Sequence, residues 1–236
     1  MNNNTFTNNS ADYGPDIASY AVKIRQKTTN NTKIILDESP SGLSYNGSLS
    51  LELVDYDGQI MNQQSSKVVK INAVTPNASI SGINYAKFTE GVAEFPDLVF
   101  ESIPGSTNVK YSLTSSAIDS SVVSAALSNS SNEFNSELEV NFRFCKPGEA
   151  LTTSNTCREC SFGTYSLFWN STQCKNCMDN AVCSGTNQIQ VEEGYWRSSQ
   201  ESETIVECLR TDSCLGGFNP TNVNPISCEE GYEGLL

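Results

Sequence analysis

The chain has 236 residues, a formal net charge of -13 and no histidine. It is long enough for one large or two small domains, and it has no cluster of Lys and Arg to neutralise phosphates, which argues against a nucleic-acid partner. Without imidazole there is no Ser-His-Asp or Cys-His nucleophile system, no His metal ligand and no ordinary pH switch; no paired-carboxylate motif stands out, so neither an enzyme activity nor a cofactor is expected.

The opening segment, residues 1–16, is rich in Asn and Thr and has no periodicity. It reads as a flexible arm or linker, or else as a strand lent to a neighbour with Phe6 as its one pocket-filling side chain. It lacks the basic-then-apolar layout of a secretory signal. This suggests either an intracellular protein or an internal piece of a larger one. No apolar run approaches the roughly eighteen residues a membrane span needs.

Residues 17–144 read as a β domain. Strands are expected at Tyr20–Arg25 and Lys33–Leu36, then in SLSLELVDY, where Leu49, Leu51 and Leu53 alternate with Ser48, Ser50 and Glu52. Asp57-Gly58 offers a hairpin turn. A calcium reading of Asp55 and Asp57 lacks the remaining loop ligands and the closing Glu. Further strands follow at Lys67–Ile71 and at Val92–Phe100, where Pro96 implies an edge or a bend. In NVKYSLT, Val109, Tyr111 and Leu113 alternate with polar residues. In ELEVNFRF, Leu138, Val140, Phe142 and Phe144 do the same. Period two with one polar face marks strands buried on one side, and about seven of them predict an Ig-like antiparallel β-sandwich. This half has neither Trp nor a Cys pair, which disfavours an antibody-type core. The Ser-rich stretch 115–132 reads as a long loop, or a loop plus one poor strand.

All nine cysteines follow: Cys145, Cys157, Cys160, Cys174, Cys177, Cys183, Cys208, Cys214 and Cys228. The shift places a domain boundary near Phe144 and a cysteine-rich module at 145–236. A zinc ribbon formed by Cys157, Cys160, Cys174 and Cys177 has a loop slightly short for that pattern and leaves five cysteines unexplained. Disulfides use them all. They also suit a segment whose interior candidates are few: Leu151, Leu167, Val182, Ile189, Val191, Ile205, Val206 and Leu209. An oxidising compartment follows. Sequons at Asn3, Asn8, Asn30, Asn46, Asn77, Asn129 and Asn170 permit N-glycosylation, although composition this rich in Asn, Ser and Thr produces several by chance. Asn219 is spoiled by Pro220.

The order CKPGEA (145–150), CRECSFGTYS (157–166), CKNC (174–177), AVCSG (181–185), EEGYWRSS (192–199) and CEEGYEG (228–234) resembles the cysteine-rich modules of large surface proteins of ciliates. Those are similar in turn to TNF-receptor, growth-factor-receptor and EGF-like repeats. The segment GVAEFPDLVFESIPGSTNVKYSL (91–113) is similar to the Ig-like or filamin-like repeats that often precede them. The resemblance implies a disulfide-rich, loop-dominated EGF/TNFR-like module in a non-enzymatic extracellular or cell-surface protein. Its role would be structural or adhesive; the alternatives are a receptor's ligand-binding ectodomain or a subunit of an extracellular filament. A cytosolic zinc scaffold is a further alternative, and an enzyme comes last. Partners would be proteins, copies of itself among them, with N-glycans permitted.

Within this module Gly163 and Gly231 suit tight turns, while Tyr165, Trp196 and Tyr232 supply flat apolar area. Trp196-Arg197 reads either as a recognition patch or, more simply, as Trp196 packed on a disulfide with Arg197 across an aromatic or reaching a carboxylate. Glu192, Glu193, Glu201, Glu203 and Glu207 read as a solvated acidic face. Cys145–Cys157 and then Cys160–Cys174 are the expected bridges, since Cys157 and Cys160 diverge across a short turn. The pairing among Cys177, Cys183, Cys208 and Cys214 is open. Nine is odd, so Cys228 is expected to bridge a cysteine shortly past Leu236, as in an EGF-like ending.

Overall fold

The computed structural model describes residues 10, 11, 14, 17, 19–29, 33–126, 136–218 and 228–232. Regular structure among them is almost entirely strand. The chain divides into two compact units, Met1–Arg143 and Phe144–Leu236. Most of the 1–16 arm, including Phe6, lies outside the described residues.

The described residues of the first unit form ten strands: β1 (Ala21–Gln26), β2 (Lys33–Ser39), β3 (Leu49–Asp55), β4 (Val68–Ala73), β5 (Ser79–Ser81), β6 (Tyr85–Lys87), β7 (Val92–Phe95), β8 (Val99–Glu101), β9 (Val109–Ser115) and β10 (Glu137–Phe142). They form a three-stranded sheet ordered β1-β3-β7, a five-stranded sheet ordered β2-β10-β9-β4-β6 and the short pair β5-β8. Every pairing is antiparallel except β2 with β10, which run parallel with Leu138 opposite Ile34 and Val140 opposite Leu36. That register stacks apolar side chains on one face of both strands.

Both sheets feed one hydrophobic core. Leu49, Leu51 and Leu53 come from the smaller sheet; Val109, Tyr111, Leu113, Leu138, Val140 and Phe142 come from the larger. Each such side chain contributes about 1.5–3 kcal/mol on leaving water. Asp57 and Gly58 sit in the turn after β3, with Gly58 at φ 79°. The Asp55 carboxylate is fully buried and accepts from the Gln59 backbone N–H at 2.8 Å and from its side-chain amide at 3.3 Å. It is thus a turn-closing acceptor.

The structure departs from the sequence reading in four places, each with a local cause. Val92–Phe100 is two strands, because the chain bends at Pro96 and leaves β7 and β8 in different sheets. β10 ends at Phe142, so Phe144 escapes the alternation and is 52% exposed. Glu52 and Glu139 fall at polar positions yet are buried; each reaches a cation, Arg25 at 2.9 Å and Lys33 at 3.2 Å. The Ser-rich stretch holds a short helix, α1 (Ser120–Ala126). Asp119 caps it by accepting from the Ser121 N–H at 2.9 Å and the Ser121 hydroxyl at 2.6 Å.

Tyr111 is the largest polar-tipped side chain in this core. Its ring meets Phe100 edge-on at 5.0 Å. Its hydroxyl, the single donor, lies 3.3 Å from both the Ser79 and the Glu101 carbonyl oxygens. Burial, then the nearby Glu101 charge, pushes its pKa well above the usual tyrosine value of 10. The raised folded-state pKa means the tyrosine contribution is intact below pH 10. It is lost as the pH climbs further, where the unfolded chain releases a proton that the folded chain retains. Tyr111→Phe should therefore flatten the alkaline loss of stability in urea melts between pH 9 and 11, at a cost near neutrality of about 1 kcal/mol. Identical alkaline slopes for both proteins would contradict this.

Candidate functional site

The second unit is a succession of small hairpins: β11 (Glu149–Leu151) with β12 (Cys157–Glu159), β13 (Thr164–Tyr165) with β14 (Lys175–Asn176), β15 (Ala181–Cys183) with β16 (Ile189–Val191), and β17 (Tyr195–Trp196) with β18 (Val206–Glu207). Its buried apolar cluster consists of Tyr165, Leu167, Cys183 and Ile189. So little core leaves the hairpins dependent on covalent ties.

Four disulfides supply them: Cys145–Cys157, Cys160–Cys174, Cys177–Cys183 and Cys208–Cys214. Their Cα separations of 5.4, 5.6, 5.6 and 6.5 Å lie in the range a disulfide spans. The first two are the bridges expected from the sequence; the last two settle the pairing it left open. Every thiolate of the zinc-ribbon alternative is consumed, each CxxC pair sending its sulfurs to separate partners. Cys145, Glu149 and Cys157 do gather three potential metal-ligand atoms within 4.8 Å, but the two sulfurs are bonded to each other and offer no thiolate.

Cys228, the cysteine expected to have no partner within these residues, is a free, half-buried thiol. The other eight cysteines pair among themselves across short loops and leave it none.

A repeated turn organises this unit. The N–H groups of Glu149, Thr164, Tyr195 and Tyr232 donate to the carbonyls of Lys146, Ser161, Glu192 and Glu229, at 2.9, 3.0, 3.2 and 3.1 Å. The third residue of each turn is a glycine, Gly148, Gly163, Gly194 or Gly231, with φ of 92, 81, 85 and 91°. That is the conformation a type II turn demands of its third position, and glycine alone adopts it without strain. Three of these glycines also bind later chain in the same way. Gly148, Gly163 and Gly194 accept from the N–H of Cys160, Cys177 and Cys208, and donate to the carbonyls of Ser166, Cys183 and Cys214. Cys145, Cys160, Val191 and Cys228 stand immediately before the four turns. The sequence signal for this repeat was the recurrence of Glu-Glu-Gly-Tyr at 192–195 and 229–232.

Trp196-Arg197 is not an exposed patch. Trp196 is half-buried with its indole nitrogen enclosed, and Arg197 is 0% exposed. Among the described residues none of the three guanidinium nitrogens, nor the indole nitrogen, has a hydrogen-bond partner. Among the described residues no carboxylate pairs with Arg197; Glu203 accepts from Lys175 Nζ at 2.7 and 2.8 Å and from the Tyr165 hydroxyl. Burial lowers the Arg197 pKa, partly offset by Tyr165. Burial likewise raises that of Tyr165, assisted by the Glu203 charge. Glu192, Glu193, Glu201, Glu203 and Glu207 are all exposed.

Three sequons fall on described residues, and Asn46, Asn77 and Asn170 are all exposed; Asn3, Asn8, Asn30 and Asn129 lie outside them. In the first unit a cleft of about 790 Å³ opens beside β6 and β7, lined by Lys27, Ile83, Tyr85, Val92, Phe95 and Asp97 among others. β6 is the last strand of the five-stranded sheet and β7 the last of the three-stranded one. Ile83 and Tyr85 stand 66% and 57% exposed there. Compared with known proteins, the chain matches no protein-family model and no curated protein.

Proposed function

We propose that this chain is an extracellular or cell-surface, non-enzymatic module with a structural or adhesive role: an Ig-like β-sandwich followed by a disulfide-rich EGF/TNFR-like segment of the kind found in large ciliate surface proteins. The observation that carries the reading is the ladder of four disulfides, each closing a loop beside a hairpin with almost no core of its own. Such a segment holds together only where thiols stay oxidised. The two-sheet arrangement of the first unit, with its first and last long strands split between sheets and β2 parallel to β10, supports the Ig-like assignment.

Secretion from a eukaryotic host followed by non-reducing peptide mapping tests this. The expected linked peptides are Cys145–Cys157, Cys160–Cys174, Cys177–Cys183 and Cys208–Cys214. Free thiols at these positions, or one stoichiometric zinc, would overturn both the bridges and the compartment. A second reading, a ligand-binding ectodomain, is favoured by the cleft beside β6 and β7, where an extended peptide could pair with a sheet edge and set side chains over Ile83 and Tyr85.

A further inference from the structure

We propose that Asn170 carries an N-linked glycan whose first sugar lies on the exposed rings of Phe168 and Trp169. The proposal rests on the extracellular reading, because this modification belongs to the secretory route. The Asn170 side-chain nitrogen would attack the anomeric carbon of a lipid-diphosphate-linked oligosaccharide. The new C–N bond replaces the C–O bond to the diphosphate, which departs with the electron pair, and the amide gives up one proton.

The turn is built to present this asparagine. The Asn170 N–H donates to the Cys145 carbonyl at 2.7 Å, and the Leu151 N–H donates to the Ser171 carbonyl at 2.7 Å. The Ser171 hydroxyl closes the turn onto the Phe168 carbonyl at 2.8 Å. The backbone is thereby tied to the first hairpin, and Asn170 takes φ 58°, a left-handed conformation that Asn tolerates better than most residues. Its side chain and that of Thr172, which completes the sequon, both face solvent.

Phe168 and Trp169, directly before it, are 52% and 60% exposed. Phe162 and Leu209 are exposed in this unit too, but Phe168 and Trp169 are the aromatic pair that directly precedes a sequon. A pyranose fits: its C–H face packs on the electron-rich face of an aromatic ring. The other described sequons lack such a platform. Tyr45, before Asn46, packs against the core, and Asn77 follows Pro76.

The test uses the full chain secreted from a glycosylating eukaryotic cell, with mass spectrometry of the Asn170 peptide and acrylamide quenching of tryptophan fluorescence. The parent protein should carry the glycan at Asn170, and Thr172→Ala should lose it. Loss of the sugar should make Trp169 about twofold more quenchable, since one of two ring faces is uncovered; Trp169→Phe in each background measures the Trp196 signal, which is then subtracted. A secreted, disulfide-bonded protein with unmodified Asn170 overturns the proposal and leaves the extracellular reading intact. So does a modified Asn170 with unchanged quenching, which leaves the aromatic pair to a protein partner. A chain that stays inside the cell with free thiols defeats both.

Discussion

Reduction should unfold the second unit and spare the first. The four bridges close loops with sequence separations of 12, 14, 6 and 6 residues. Loops of that size contribute about 2–3 kcal/mol each in the chain-entropy account, so together they match the roughly 5–15 kcal/mol that holds an ordinary domain folded. Tyr165, Leu167, Cys183 and Ile189 offer little to replace them. The first unit has no cysteine and a core drawn from both of its larger sheets. Both tryptophans, Trp169 and Trp196, lie in the second unit, so their fluorescence reports on it alone, while far-ultraviolet circular dichroism is dominated by the long strands of the first. On adding a phosphine reductant, tryptophan emission should shift to the red while the sheet signal and its thermal transition persist. Unchanged emission, or simultaneous loss of both signals, would refute this account.

Leu51→Ala should have the mirror-image effect. Leu51 is fully buried at the centre of β3, paired with Gln26 of β1 and Ala93 of β7. Truncation there removes transfer free energy and leaves a cavity that the flanking strands cannot close, at a cost of about 2–5 kcal/mol. The circular-dichroism midpoint should fall while the tryptophan-reported transition stays in place. The exposed Ile83→Ser, two residues before β6, serves as the control and should change stability by no more than about 0.5 kcal/mol. A Leu51 variant as mild as this control would show that the side chain is not in the core.

The strand faces of the first unit were legible because period two is a local property. Leu49, Leu51, Leu53, Val109, Tyr111, Leu113, Leu138, Val140 and Phe142 each point inward, as their spacing alone required. Where the sequence misled, a local pattern was cut short or overruled. The alternation reaching Phe144 runs past the end of β10. Asp119, an N-cap type of residue, starts a helix in a stretch whose serines read as loop. Glu52 and Glu139 look like solvent-facing residues until the tertiary arrangement brings Arg25 and Lys33 to them.

In the second unit, composition by itself determined that cysteine would do the work of a core. Short spacing pointed to Cys145–Cys157 and Cys160–Cys174, because the turn between Cys157 and Cys160 sends their sulfurs apart. Only the tertiary structure decided the rest. Cys177 pairs with Cys183 and Cys208 with Cys214 where both cysteines of each pair hydrogen-bond one earlier turn glycine, Gly163 for the first and Gly194 for the second, contacts that lie well beyond those turns. The fate of Arg197 belongs to the same class. Its sequence neighbours suggest a surface contact, but whether a guanidinium ends in water or under other side chains is set by packing from residues distant in the chain, and here it is enclosed beside Tyr165.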